Sequence, residues 1–224
     1  MDTLNFDLGA LTLREVNRKL HNLKSGFVRI KEPAGKHSVA AGLRSTLHVT
    51  IEGHCGYYAA GMNQDADVVI DGNAGVGVAE NMMSGSVRVN GNASQSAGAT
   101  AHGGLLVITG DAAARCGISM KGVDIVVGGD IGHMSAFMAQ AGRLVVRGDA
   151  GEALGDSIYE ARLYVRGKVA SLGADCIAKD MGPEHHAELR ELLDRAGWPD
   201  DDTTAYTRYG SARRLYHFHA GNEY

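Results

Sequence analysis

The sequence predicts an all-β fold. It is a parallel β-helix of seven 19-residue coils, with an N-terminal helix and strand cap and a C-terminal helix plus tail. Three observations predict it. From Gly53 a glycine recurs every 19 residues, at Gly53, Gly72, Gly91, Gly110, Gly129, Gly148 and Gly167, so the repeat covers 7 × 19 = 133 of 224 residues. Each is preceded by an aliphatic-x-aliphatic pair: Val49/Ile51, Val68/Ile70, Val87/Val89, Leu106/Ile108, Ile125/Val127, Leu144/Val146 and Leu163/Val165. That alternation is the period of a strand with one face buried. The third and seventh residues after each glycine are always Gly, Ala or Ser, from Gly56 and Ala60 to Ala170 and Ala174. A coil with a narrow lumen needs such residues at its bends, with glycine where φ is positive. Between one strand and the next the segments are too Gly-rich and too weakly periodic for a helix.

Taken in order, the chain divides into a cap (1–45), the β-helix (46–181) and a C-terminal helix with a docking tail (182–224). Thr12 and Glu15 form a capping box. They open a helix with Leu13, Val16, Leu20 and Leu23 on one face, closing near Gly26. Phe27–Ile30 reads as a strand, and Glu32 to Leu43 as a loop leading to the first coil. Seven coils stacked at roughly 4.8 Å make a rod about 30 Å long. After it, Pro183 starts a helix whose stripe is Leu189, Leu192, Leu193 and Ala196, and Gly197 ends it. The tail carries Tyr206, Arg208, Tyr209, Arg213, Arg214, Tyr216 and other aromatics. Such a segment either folds back across the rod or docks another protein through Tyr and Arg.

Net charge is −4 (22 − 26), which gives no bulk field favouring nucleic acid or an anionic membrane. No apolar run approaches the length of a membrane span, and the first residues lack the basic and apolar parts of a signal peptide, so a cytoplasmic location is expected. Cys55, Cys116 and Cys176 stand at different places in their repeats and read as buried or incidental thiols.

Chemistry is sparse. Asp111, Asp130 and Asp149 follow successive glycines and stack in one column, where they would suit a hard cation. The column continues as His54, Asn73, Asn92 and Lys168, which favours turn residues that satisfy amides. No catalytic, cofactor-binding or metal-ligating set emerges. Partner contacts are expected instead. Tyr57, Tyr58, Met82 and Met83 lie on irregular corner segments, and Met suits adaptable contact surfaces. The outward positions Val69, Val107, Val126, Val145 and Tyr164 form a second apolar stripe that something must cover. Gly129 is expected to resist substitution, and Gly128, facing outward, to tolerate it.

The pattern Gly-x-x-Gly-x-x-x-Gly, complete at Gly148, Gly151 and Gly155, resembles the Gly-x-Gly-x-Gly domain that ends the large subunit of glutamate synthase, a right-handed seven-turn β-helix. The resemblance covers residues 46–181. The runs 75–85 and 132–142 look like the stand-alone β-helix subunit of the N-methylglutamate synthase (methylamine–glutamate N-methyltransferase) group. The resemblance implies a non-catalytic subunit of a hetero-oligomer. Its partners would be an amidotransferase-like subunit and a synthase-like subunit carrying FMN and iron–sulfur clusters. The complex would convert glutamate and methylamine to N-methylglutamate and ammonia. A true glutamate synthase-like or formylmethanofuran-dehydrogenase-like complex is the alternative, as is an independent cation-binding protein using the Asp column.

Overall fold

The structure is a computed structural model that describes residues 3–213. Strand β1 (Leu4–Asp7) leads through helix α1 (Leu13–Asn22) to β2 (Ser25–Lys31), and seven further strands follow: β3 (Thr46–Glu52), β4 (Asp67–Ile70), β5 (Ser86–Val89), β6 (Leu105–Ile108), β7 (Lys121–Val127), β8 (Ala141–Val146) and β9 (Arg162–Val165). Each pairs in parallel with the next. From β3 on, one ladder runs Val49, Val68, Val87, Leu106, Ile125, Leu144, Leu163 at a constant shift of 19. The constant shift along this ladder keeps its side chains on one face, as a strand's two-residue period requires; only the start of β7 departs from it, where Lys121 pairs with Ala141.

A second ladder closes the coil. It consists of single bridges through Cys55, Ala74, Ala93, Ala112, Ile131, Ala150 and Val169, two residues after each glycine. Inside lie the strand aliphatics, this bridging column, and the positions six, seven and ten residues after each glycine from Gly53 to Gly148. The last column includes Asn63, Met82, Ala101, Met120, Ala139 and Ile158, all buried. All three cysteines are buried and unpaired.

The recurring glycines serve close approach more than conformation. Of the seven, only Gly53 has positive φ (130°). At Gly72 an added Cβ would lie 2.7 Å from the carbonyl carbon of Gly53 in the coil below. Left-handed backbone falls five, seven and nine residues after each glycine from Gly53 to Gly148, on Tyr58, Ala60 and Met62 in the first coil. Inter-coil hydrogen bonds hold these residues there: the Tyr58 and Met62 amides donate to Val76 and Glu80, and the Ala60 amide to Val39. The outward-facing Gly128 is also confined. Its Cβ would collide with the Thr109 carbonyl and stand 3.1 Å from the Trp198 ring, so the expected tolerance there is wrong.

The rod starts earlier than residue 46. β2 pairs in register with β3 over seven residues, and β1 pairs with β2 with α1 as the crossover. Residues 32–43, expected as a loop, stack as a further coil: the amides of Gly35, Ser38 and Gly42 donate to carbonyls of His54, Tyr57 and Gly61. Its repeat is 21 residues, and Glu32 with φ 54° replaces the glycine, so the 19-residue register passes over it.

The other end is closed differently. β10 (Cys176–Lys179) is followed by α2 (Pro183–Ala196), a short 3-10 turn (Thr203–Ala205) and β11 (Thr207–Ser211). β11 lies antiparallel between β9 and β10. The tail through Arg213 therefore folds back over the rod; Arg214 and Tyr216 lie outside the described residues.

Candidate functional site

The outer valine stripe is covered by this chain's own helix. Val107, Val126, Val145 and Tyr164 are buried against Leu189, Leu192, Leu193, Ala196 and Tyr206. This corrects the expectation that Val107, Val126 and Val145 face a partner: the apolar stripe of α2 meets the apolar stripe of β6 to β9. Val69, beyond the helix, is only half-buried.

Ion pairs frame the seam. Arg143 donates to both Asp124 oxygens at 2.6 and 2.5 Å. Glu188 of α2 accepts from Arg162 at 2.9 and 2.6 Å and from the Tyr164 hydroxyl at 2.5 Å. Burial pulls the Glu188 carboxyl upward, but these donors outweigh it and hold the carboxyl below its ordinary range. Farther on, Arg147 donates to Asp201 at 2.6 and 2.9 Å and stacks on Trp198, its guanidinium 4.5 Å from the ring centre. The Arg147 guanidinium, helped by Tyr206, holds Asp201 below the usual carboxylate range. Desolvated bidentate pairs of this kind orient the two surfaces more than they stabilise them.

The aspartate column is a ladder of amide acceptors. Oδ1 of Asn92 accepts the amide of Asp111, Asp111 that of Asp130, Asp130 that of Asp149, and Asp149 that of Lys168, at 2.7–2.9 Å. At the ladder's start the His54 Nδ1 accepts the Asn73 amide at 2.9 Å. No group of three His, Cys, Asp or Glu side chains able to hold a metal occurs among the described residues.

The corner candidates separate. Met82 is fully buried while Met83 is 46% exposed. Met82 is therefore core, not surface: it occupies the interior position ten residues after Gly72. Tyr57 is 58% exposed and stacks on His37 at 4.5 Å. Arg213 pairs with Asp175 beside the last strands.

Tyr58 opens onto something the sequence did not single out. Between α1 and the first coils is a cavity of about 620 Å³, lined by Asn17, His21, Gly42, Arg44, Tyr58 and Met62 among others. Asn17 and His21, one helical turn apart, pin α1 to the coil. The Asn17 amide donates to the Ser38 carbonyl at 2.8 Å and accepts the Ala40 N–H at 3.1 Å, and His21 Nε2 lies 2.8 Å from the Ala41 carbonyl. A Cβ on Gly61 would fall onto the Tyr58 ring, so a glycine with no positive φ of its own leaves room for that ring. The Tyr58 hydroxyl accepts from Asn81 at 3.1 Å. The readable signal was an Asn and a His spaced four apart beside the buried Val16 and Leu20.

No protein-family model matches the chain. A stretch of 54 residues is 58% identical to Protein GlxC of Rhizobium meliloti (strain 1021), a match spanning 24% of this chain and 24% of that relative. No helix among the described residues is long and apolar enough to cross a membrane.

Proposed function

We propose that this chain is a non-catalytic structural subunit of a glutamate-synthase-like complex, of the N-methylglutamate synthase type. It holds an amidotransferase-like subunit and a subunit bearing FMN and iron–sulfur clusters at a set separation, while the complex converts glutamate and methylamine to N-methylglutamate and ammonia. The carrying observation is the continuous parallel stack of strands from Leu4 to Val165. A stack in which each coil is hydrogen-bonded to the next on two sides is a stiff spacer. The Gly-x-x-Gly-x-x-x-Gly pattern and the stretch shared with GlxC support the kinship.

The aspartate ladder does not favour the cation-binding alternative, since one oxygen of each of Asp111, Asp130 and Asp149 is committed to an amide. The test is to tag the chain in its native cells and purify what accompanies it. The expected result is a flavin-coloured hetero-oligomer that forms N-methylglutamate from glutamate and methylamine. A chain that purifies alone, without flavin, would overturn the reading. A complex that forms glutamate instead would assign the chain to a true glutamate synthase.

A further inference from the structure

The N-terminal cavity has features that the solenoid does not need. Gly61 stands where the other coils carry Glu80, Ala99, Ile118, Phe137, Asp156 and Asp175, and it leaves room for the Tyr58 ring. Met62 is 45% exposed at the same corner. The α1 wall is fixed by the Asn17 and His21 bonds, so the concavity is preformed. Preformed apolar concavities with a few placed polar groups are the usual shape of recognition sites.

Charge says what kind of group it takes. The chain is net −4, yet between Leu13 and Thr46 there are eight Lys and Arg against two Glu, and among the described residues only Arg29 of the eight pairs with a carboxylate outside that stretch, Glu52. Arg44 lines the cavity and makes no hydrogen bond or ion pair to another described residue. Arg14 and Arg18 each stand three residues before a pinning residue, Asn17 and His21. On a helix that spacing makes them surface neighbours of the cavity wall. The strand face under α2, by contrast, is already filled by this chain.

From these observations we propose that the cavity is a docking seat for an acidic, apolar segment of another protein. One carboxylate of that segment pairs with Arg44, and an adjacent apolar side chain rests between Met62 and the Tyr58 ring. The Arg14 and Arg18 field steers the encounter. A polyanion such as nucleic acid suits this place less well, because a phosphate lattice has no use for an apolar hollow beside the basic residues. The seat is independent of the glutamate-synthase reading, since it asks only which chemistry fits the hollow.

A fluorescent peptide alternating glutamate with leucine and phenylalanine, titrated onto the full chain, tests it. The expected result is saturable binding that Arg44→Glu weakens about tenfold and that added salt weakens too. Lys168→Glu, the same charge change far along the rod, leaves binding as it was. Met62→Lys separates a shaped seat from a diffuse field: it adds positive charge yet is expected to weaken binding. Circular dichroism and a melting curve verify each variant's fold, and Arg44→Ala replaces Arg44→Glu should that variant not fold. Tighter binding by Met62→Lys, equal competition by polyglutamate or an oligonucleotide, or no binding by the wild type would each overturn the proposal. So would self-association that Arg44→Glu abolishes, because the seat would then belong to a second copy of this chain.

Discussion

Oδ1 of Asp111 accepts the backbone N–H of Asp130 at 2.8 Å, one coil further along, through the space that a side chain on Gly129 would occupy. Glycine and aspartate are thus one device repeated from coil to coil, with the absent Cβ leaving room for the acceptor.

That coupling is measurable. Gly129→Ala should cost about 2–4 kcal/mol, because the methyl group falls on the Asp111 carboxylate and crowds the Gly110 backbone 3.1 Å away in the neighbouring coil. Asp111→Ala alone should cost about 1 kcal/mol. The double variant should cost clearly less than the sum, since removing the carboxylate relieves much of the clash. Strictly additive urea-denaturation energies would show that the two positions are uncoupled.

Val126→Asp should unseat α2 in the isolated chain. Val126 is fully buried beneath the helix, and an unpaired carboxylate there costs about 3–5 kcal/mol. Limited proteolysis should cut the region 183–213 while the solenoid persists. Protection equal to wild type would contradict the assigned covering.

Acid should loosen the same helix first. Glu188 and Asp201 are both held below their ordinary carboxylate range. Lowered folded values mean that they stabilise the folded state above the unfolded pKa values of about 4 and that this is lost as pH falls through the folded ones. Trp198, the single tryptophan, stacks on Arg147 beside Asp201 and reports the seam. Its fluorescence should change at a higher pH than the strand signal in circular dichroism. Simultaneous loss of both would mean that the seam has no separate stability.

The three thiols should be inert in the folded chain. Burial pushes the Cys55 and Cys116 thiols up to about 12 and, with Lys179 opposing, Cys176 to about 11. Thiolate, the reactive form, is therefore scarce near neutral pH. A disulfide reagent should label none of them quickly until denaturant is added. If one reacts early it should be Cys176, on a strand that pairs along one edge alone. Fast labelling of Cys116 would be incompatible with its place inside the coil.

The solenoid was legible because each coil repeats one local pattern, so Val49 predicts Val68 and onward to Leu163. The coil at 25–45 was not legible because Glu32 stands where the glycine would be and its strand pairs with the next at a shift of 21 residues instead of 19. Met82 and Met83 show a different limit. In a strand one neighbour faces in and the other out, but Met82 follows a corner with left-handed backbone at Gly77, Ala79 and Asn81, which breaks the two-residue parity. Which methionine enters the core then depends on the coil geometry. The stripe of Val107, Val126 and Val145 was readable as covered. Its covering by Leu189 and Leu192 was not, because an amphipathic helix carries no record of which apolar surface it meets. Tyr58 and Gly61 were adjacent in view, but their relation is a ring over a backbone and has no period to detect.

The reversed strand β11 bears on how copies of this protein meet. A uniform parallel stack has two matching ends, and copies joined head to tail would grow into a filament without limit. Here the bridge ladder through Ala150 stops at Val169, and beyond β9 the hydrogen-bonding direction reverses. The two ends are no longer copies of one cross-section. One strand running the other way thus breaks the template for head-to-tail stacking at this end, and a variant lacking residues 207–211 is where fibre formation should first be seen.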